Sequence, residues 1–257
     1  MLSPALKRAA WSCLISPRPP LVNRANRGFT LIDVLVSMAV ITVLIGLLLP
    51  GLSHVNQKAR RVACLSNIRQ IGLGVQMYAD DHNGLLVPSV FVPGWAKNSY
   101  SAPEQMDRVR LEDANGGLWG SRWDGLGRLF SADYLAAPKI FYCPSHRGEH
   151  PFSRYADSFG DAEGGIIANY QYRGVSPDGS KILDFVQPKQ TAIVCDGIRT
   201  RLDFNHSTGM NVLRADQSVD WFSDESGQLL NSLPDESGSA MSAQSAWQTL
   251  DATNNPR

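Results

Sequence analysis

The stretch Arg27-Gly28-Phe29-Thr30-Leu31-Ile32-Asp33-Val34-Leu35-Val36 decides how the rest of the chain is arranged. A phenylalanine follows the basic residue and the glycine, and it opens an apolar segment that continues to Leu52 with Asp33 as its one charged residue. A segment of this length is sufficient to cross a bilayer, which takes about 20 apolar residues. A carboxylate inside such a segment is costly, and its presence therefore indicates a function.

This stretch resembles the processing site of type IV prepilins and of the pseudopilins of type II secretion. In that family a prepilin peptidase cuts after the glycine, and the new N-terminal residue, often Phe, is methylated. The resemblance implies a cut between Gly28 and Phe29. It also implies that Asp33 occupies the position of the acid, usually Glu, that meets the N-terminal amine of a neighbouring subunit during assembly. The alternative interpretation is an ordinary membrane anchor that is not cleaved.

The resemblance and the hydropathy together divide the chain into four parts. They are a leader peptide (1–28), a transmembrane helix (29–52), a pilin-like periplasmic domain (53–222) and a flexible tail (223–257). The leader has five basic residues and no acidic residue, a bias that keeps the N-terminus in the cytoplasm before cleavage. We therefore expect a single-pass inner-membrane protein with a periplasmic C-terminal domain. The tail is rich in Ser, Gln, Asn and acidic residues, so we expect it to be mobile.

The periodicity of the domain predicts an α+β fold, in which the long N-terminal helix packs on a small antiparallel sheet. Apolar residues at three- and four-residue spacing predict an amphipathic helix over 53–82 that ends at Asn83-Gly84; they are Val55, Ala59, Val62, Leu65, Ile68, Gly72, Val75 and Tyr78. Residues 140–143, 166–172 and 191–196 are candidate strands. Residues 204–221 indicate a hairpin that turns at Asp216-Gln217, with a turn type left open because Gln resists positive φ.

Three further segments are similar to pseudopilin-like proteins that are abundant in planctomycetes and their relatives. They are Ala59-Arg60-Arg61-Val62-Ala63-Cys64-Leu65-Ser66-Asn67-Ile68-Arg69-Gln70-Ile71-Gly72-Leu73, Asn83-Gly84-Leu85-Leu86-Val87-Pro88 and Phe141-Tyr142-Cys143-Pro144-Ser145. In those proteins a similar helix ends before an Asn-Gly turn.

Composition limits the function classes. The chain has 257 residues, a net charge of zero and a pI near 7.0, whereas a dedicated nucleic-acid binder has a basic face. Cys13 lies in the leader, and three cysteines remain in the mature chain. Two of Cys64, Cys143 and Cys195 could pair in an oxidising compartment, and Cys143 and Cys195 are possible neighbours because each ends a candidate strand. Three buried free thiols are the alternative.

Two patterns have the residue types of a metal site. Cys143-x-x-His146-x-x-x-His150 has donors at zinc spacing, with His206 and Cys195 as possible further ligands; the alternative is a solvated loop beside a structural cysteine. A glycine-rich loop with Asp157, Asp161 and Glu163 could hold calcium, although such acidic loops are common without metal. We expect no metal and no cofactor, with calcium as the one open possibility.

The sequence therefore predicts a structural protein and not an enzyme, since no Gly-x-Ser-x-Gly nucleophile elbow occurs. The expected function is a pseudopilin that is processed by prepilin peptidase and polymerises with other pseudopilin subunits into a periplasmic filament. The main alternative is an uncleaved bitopic binding or sensing module. A periplasmic metal hydrolase is a third possibility.

Overall fold

The computed structural model describes residues 29–113, 117–160, 163–236 and 238–252, and over 48–54 it describes the backbone alone. The contacts divide the chain into two compact units, Met1–Pro50 and Gly51–Arg257. The predicted leader, including Gly28, lies outside the described residues.

The described helices and strands are short, with the exception of the first helix. The helices are α1 (Leu31–Asp81), α2 (Gly127–Ser131), α3 (Phe152–Tyr155), α4 (Gln228–Ser232) and α5 (Ala240–Ala252). The strands are β1 (Arg108–Arg110), β2 (Ile166–Ile167), β3 (Tyr170–Tyr172), β4 (Ala192–Asp196), β5 (Gly209–Arg214) and β6 (Val219–Ser223).

In the first unit, the segment that the sequence predicts to span a membrane is helical from Leu31. Its large apolar side chains are exposed as far as Leu47, which is 73% exposed. Within the part of the chain that the structure describes, no helix combines the length and the apolar character needed to cross a membrane.

The second unit is built on a four-stranded antiparallel sheet whose strands follow chain order from β3 to β6. Residues of α1 pack on one face of this sheet in a single apolar cluster; the buried ones are Cys64, Ile68, Ile71, Val75, Tyr78 and Ala79. The predicted α+β class, with a helix on a small antiparallel sheet, is confirmed. The predicted apolar stripe is wrong at its start, because Val55 and Val62 are exposed.

A glycine lies where α1 contacts the sheet. A Cβ atom placed on Gly72 would lie 2.8 Å from Cδ1 of Leu213 on β5, so a larger residue would require the side chain of Leu213 to shift. The helix ends as predicted, with Gly84 at positive φ and its N–H donating to the carbonyl of Ala79 at 2.7 Å.

The C-terminal helices cover the opposite face of the sheet, which corrects the prediction of a flexible tail over 223–257. A second apolar cluster joins the sheet to α4 and α5; its buried members from these helices and the turn after α4 are Leu229, Leu233, Ala246, Trp247 and Leu250. The tail is polar in average composition, but it concentrates its apolar residues on one face of α5, and this face is enough to hold the helix to the sheet. Residues 253–257 lie outside the described part.

The strand predicted over 140–143 is wrong. A 3-10 turn over Pro138–Phe141 occupies this place, because Pro138 begins the turn and the segment pairs with no neighbouring strand among the described residues. The strand predicted over 166–172 is divided into β2 and β3, which belong to different sheets. The strand predicted over 191–196 is confirmed as β4.

The predicted hairpin is confirmed as β5 and β6, and the structure settles its turn. The N–H of Gln217 donates to the carbonyl of Arg214 at 3.0 Å, and Gln217 itself has a φ of 67°. This arrangement is a type I turn followed by a left-handed residue, a position that glycine usually fills.

Candidate functional site

The structure describes the N-terminal motif from Phe29 onward. Phe29 is 83% exposed. The backbone N–H of Thr30 donates to Oδ2 of Asp33 at 3.0 Å, and the N–H of Asp33 donates to Oγ1 of Thr30 at 3.3 Å. This reciprocal pair is a capping box that begins α1. This capping role of Asp33 is not among the sequence predictions, although a Thr three residues before an acid is its usual signal.

A second candidate site lies where α1 meets the sheet. It consists of Cys64 on α1, Cys143 after the 3-10 turn, Asp196 at the end of β4 and His206 before β5. The four possible ligand atoms all lie within 4.8 Å of one another. Among the described residues, no other group of three or more His, Cys, Asp or Glu side chains comes this close.

The two cysteines of this site form a disulfide that ties α1 to the loop after the 3-10 turn. Their Cα atoms are 5.2 Å apart. The sequence alone leaves the pairing open and makes Cys143 and Cys195 possible neighbours; Cys195 instead is a buried free thiol in the cluster on the opposite face of the sheet. Cys195 and Asp196 are adjacent on β4, and adjacent residues of a strand point to opposite faces of the sheet. Cys195 therefore faces away from the site to which Asp196 belongs.

The polar half of the site is tightly packed. Nε2 of His206 lies 3.6 Å from Sγ of Cys143 and 3.7 Å from Oδ2 of Asp196. The same carboxylate accepts the backbone N–H of Asn211 at 2.7 Å. The ring of Trp221 packs edge-on against the imidazole, with 5.6 Å between the ring centres. These contacts fix the orientation of both side chains.

Burial dominates the electrostatics of the pair. Asp196 is completely buried, and desolvation raises the pKa of its carboxyl against the opposing effect of His206. The side chain of His206 is only 9% exposed, and burial lowers the pKa of its imidazole against the opposing effect of Asp196. Both shifts disfavour the charged form of the respective group.

The other residues of the predicted zinc pattern lie elsewhere. Nδ1 of His146 is 2.8 Å from Oδ1 of Asn205, and Nδ1 of His150 is 2.7 Å from the hydroxyl of Tyr155. The structure thus brings together Cys143 and His206 of the predicted set, but not His146, His150 or Cys195.

The predicted calcium loop is described only in part. Asp157 lies in a 3-10 turn with an exposed side chain, and Glu163 is also exposed. Asp161 lies outside the described residues, so calcium binding by this loop stays a prediction.

A polar cavity of about 550 Å³ opens beside His206. Four of its lining residues are basic, namely Lys58, Arg60, Arg61 and Arg147. Of the described residues that line it, none is acidic. The guanidinium of Arg61 lies 3.4 Å from the ring centre of Trp221, a cation–π contact that holds it at the wall of the cavity. The cavity is therefore suited to an anionic group.

A buried carboxylate lies away from this site. The Oδ2 atom of Asp107 is 3.2 Å from a guanidinium nitrogen of Arg199, which also contacts Asp203. Oδ1 of Asp107 is buried without a hydrogen-bond partner. Burial raises the pKa of Asp107 to about 7, despite the opposing effect of Arg199.

The N-terminal motif identifies the class of protein. Residues 23–49, which include Gly28, Phe29 and Asp33, match the prokaryotic N-terminal methylation motif that type IV pilin-like proteins carry. Residues 53–192, more than half of the chain, match the family described as "Protein of unknown function (DUF1559)", and the chain belongs to this family. The two matches agree with the resemblance to planctomycete-type pseudopilins. No curated protein and no solved structure matches the chain.

Proposed function

We propose that this protein is a pseudopilin, a structural subunit of a periplasmic filament of the type II secretion or type IV pilus kind. The observation that carries the proposal is the methylation motif over 23–49. In this proposal prepilin peptidase cuts between Gly28 and Phe29, and the new amine of Phe29 is methylated. The protein is not an enzyme, needs no cofactor and binds no nucleic acid.

The exposed apolar helix supports this proposal. Side chains from Phe29 to Leu47 form an apolar surface without a partner in its own unit, among the residues described there. An apolar surface of this extent needs lipid or protein to cover it. We propose that the inner membrane covers it before assembly, with the C-terminal domain in the periplasm, and that neighbouring pilin-type subunits cover it in the filament.

The capping box suggests how Asp33 takes part in assembly. Its carboxylate already binds the N–H of Thr30, and it lies one turn from the amine that cleavage creates on Phe29. A carboxylate in an apolar environment is stabilised by a cationic partner. We propose that the amine of a neighbouring subunit supplies this partner in the filament.

The processing step is tested by substitution of Gly28. The variant Gly28→Leu should accumulate as precursor in a host that has prepilin peptidase, because a side chain at this position obstructs the cut. Gly46→Leu is the matched control, since a Cβ atom on Gly46 meets no atom within 4 Å, and it should be processed as wild type. A Gly28→Leu variant that reaches the mature mass on an immunoblot would contradict the assigned cleavage site.

A second candidate function is an uncleaved, membrane-anchored binding module, and the basic cavity beside His206 favours it. Four cationic side chains and the polarity of the lining suit a polyanion. This function requires an uncut, monomeric chain that binds an anionic ligand in this cavity. Weakened binding in the variant Arg60→Ala, together with the absence of any mature-length chain, would favour it over the pseudopilin.

A further inference from the structure

We propose that Cys64, Cys143, Asp196 and His206 form a zinc site when the two cysteines are in the dithiol form. The four side chains come from four separate segments of the chain, and their ligand atoms converge within 4.8 Å. Two sulfurs, one imidazole nitrogen and one carboxylate oxygen are a donor set that zinc accepts in tetrahedral sites.

Two of the distances between the ligand atoms already match those of a tetrahedral zinc site. Zinc–ligand bonds of about 2.0–2.3 Å in a tetrahedron place the ligand atoms about 3.3–3.8 Å apart. Nε2 of His206 is already 3.6 Å from Sγ of Cys143 and 3.7 Å from Oδ2 of Asp196. The disulfide has to open, and all four ligand atoms already lie within 4.8 Å of one another.

The surroundings of the carboxylate are those of a metal ligand. Ligating carboxylates in zinc sites are themselves held by outer hydrogen bonds. Asp196 accepts hydrogen bonds from the backbone N–H and from Nδ2 of Asn211, at 2.7 and 3.3 Å, and Nδ2 of Asn205 lies 3.5 Å from its other oxygen. His206 makes the one ion-pair contact of this carboxylate within the described part of the chain. A divalent cation would neutralise this buried carboxylate.

Zinc binding to the dithiol form involves no redox change, whereas release of the zinc does. On zinc binding each thiol loses its proton to solvent and its sulfur donates an electron pair to the metal, so two protons leave and no oxidation state changes. The disulfide form has no thiolate to donate and does not hold the metal. With the domain in the proposed periplasmic location, the dithiol form precedes the disulfide, because the disulfide forms only in an oxidising compartment. Oxidation by a disulfide-bearing protein would then pass two electrons to that oxidant and release the zinc.

The two forms link α1 to different parts of the domain. Cys64 belongs to α1, whereas Asp196 and His206 flank strands of the sheet. Zinc in the dithiol form would join α1 both to Cys143 and to the sheet, whereas the disulfide joins α1 to the loop of Cys143 alone. This zinc site does not require the protein to polymerise.

The test uses the full chain in detergent, with Cys13→Ala to remove the leader thiol. One sample is reduced with a phosphine and another keeps its disulfide; both are equilibrated with Zn²⁺, desalted and analysed for metal. We expect one zinc per reduced chain and none per oxidised chain. Because the two samples have the same sequence, the comparison does not require any site variant to fold. Equal zinc content in the two samples, including no zinc in either, would overturn the proposal.

Cobalt identifies the ligands. Co²⁺ added to the reduced chain should give a thiolate-to-cobalt charge-transfer band. The variant Cys195→Ala should keep the band, since Cys195 lies on the other face of the sheet. Asp196→Asn and His206→Gln should each weaken binding by more than the 10–100-fold that loss of an outer-shell partner costs. Unchanged affinity in both of these variants would show that the metal is bound elsewhere.

Discussion

Asp33 has two interactions, one observed and one proposed. Its carboxylate caps α1 through the N–H of Thr30, and the proposed assembly role needs the same carboxylate to meet the amine of a neighbouring subunit. Replacement of Asp33 alone removes both interactions. Thr30 shares only the capping interaction, so it offers a way to separate them.

We expect Asp33→Ala to be cleaved after Gly28 and to fold, but to lose crosslinking between subunits. Asp33→Glu should retain crosslinking, because Glu is the usual acid of a capping box and keeps the charge. Thr30→Ala breaks the hydroxyl half of the cap and keeps the carboxylate, so it should crosslink as wild type does. Chemical crosslinking in membranes, followed by immunoblotting, measures all three. If Asp33→Ala crosslinks normally, Asp33 has no part in assembly.

Asp107 makes the stability of the second unit depend on pH. Its folded-state pKa of about 7 is above the ordinary value of about 3.9, so the folded chain binds the proton more tightly than the unfolded chain. The stabilisation is complete below about pH 4 and is lost as the pH rises through about 7.

The variant Asp107→Asn should therefore lose less stability than wild type between about pH 5 and pH 8. Denaturant unfolding of the full chain at a series of pH values measures the free energy of unfolding. The control is Asp133→Asn, an exposed carboxylate at positive φ that Asn tolerates, and it should follow wild type. An identical pH dependence for Asp107→Asn and wild type would contradict the shifted pKa.

At the scale of elements, helix α5 packs on the face of the sheet opposite to α1. Trp247 and Leu250 are buried in the second apolar cluster. Asp251 accepts hydrogen bonds from Arg173 at 2.7 Å and from the N–H of Ala192 at 2.9 Å. Helix α5 is therefore an integral part of the domain.

Trp247→Ala should destabilise the second unit by about 3–5 kcal/mol, since it removes a large buried side chain and leaves a cavity. Met241 lies on the same helix and is 83% exposed, so Met241→Ala should change the free energy of unfolding by less than about 0.5 kcal/mol. Denaturant unfolding compares the two variants. Equal stabilities would mean that α5 does not pack as described.

The elements that the sequence predicts correctly are those with a local signal. Strand β4 is encoded by a short apolar run, and the turn between β5 and β6 by the residues at the turn itself, so both can be recognised from residues that are close in sequence. Helix α5 also has such a signal, because Ala243, Ala246, Trp247 and Leu250 follow helical spacing. The polar composition of the tail concealed this pattern.

The candidate site depends on long-range contacts, and sequence reasoning recovers it only in part. Cys64 and Cys143 meet because α1 docks on the sheet, an event that no local pattern records. Their separation of 79 residues in sequence leaves several pairings open. The zinc spacing of Cys143, His146 and His150 is also misleading, because spacing along a loop does not determine where the side chains point.

At the scale of the whole molecule, the chain combines an N-terminal segment that matches the methylation motif with a domain that has two apolar clusters. The apolar surface of residues 29–47 is exposed, whereas the second unit buries its apolar side chains on both faces of the sheet and has a disulfide. This division is expected of a subunit whose N-terminal segment is covered by lipid first and by its neighbours later.

The most direct test of the central claim is mass spectrometry of the intact protein purified from a host with prepilin peptidase. The pseudopilin account predicts a chain that begins at Phe29, lacks residues 1–28, and carries one methyl group on the amine of Phe29. A chain that retains residues 1–28, with an unmodified Phe29 inside it, would contradict the account and favour an uncleaved membrane anchor.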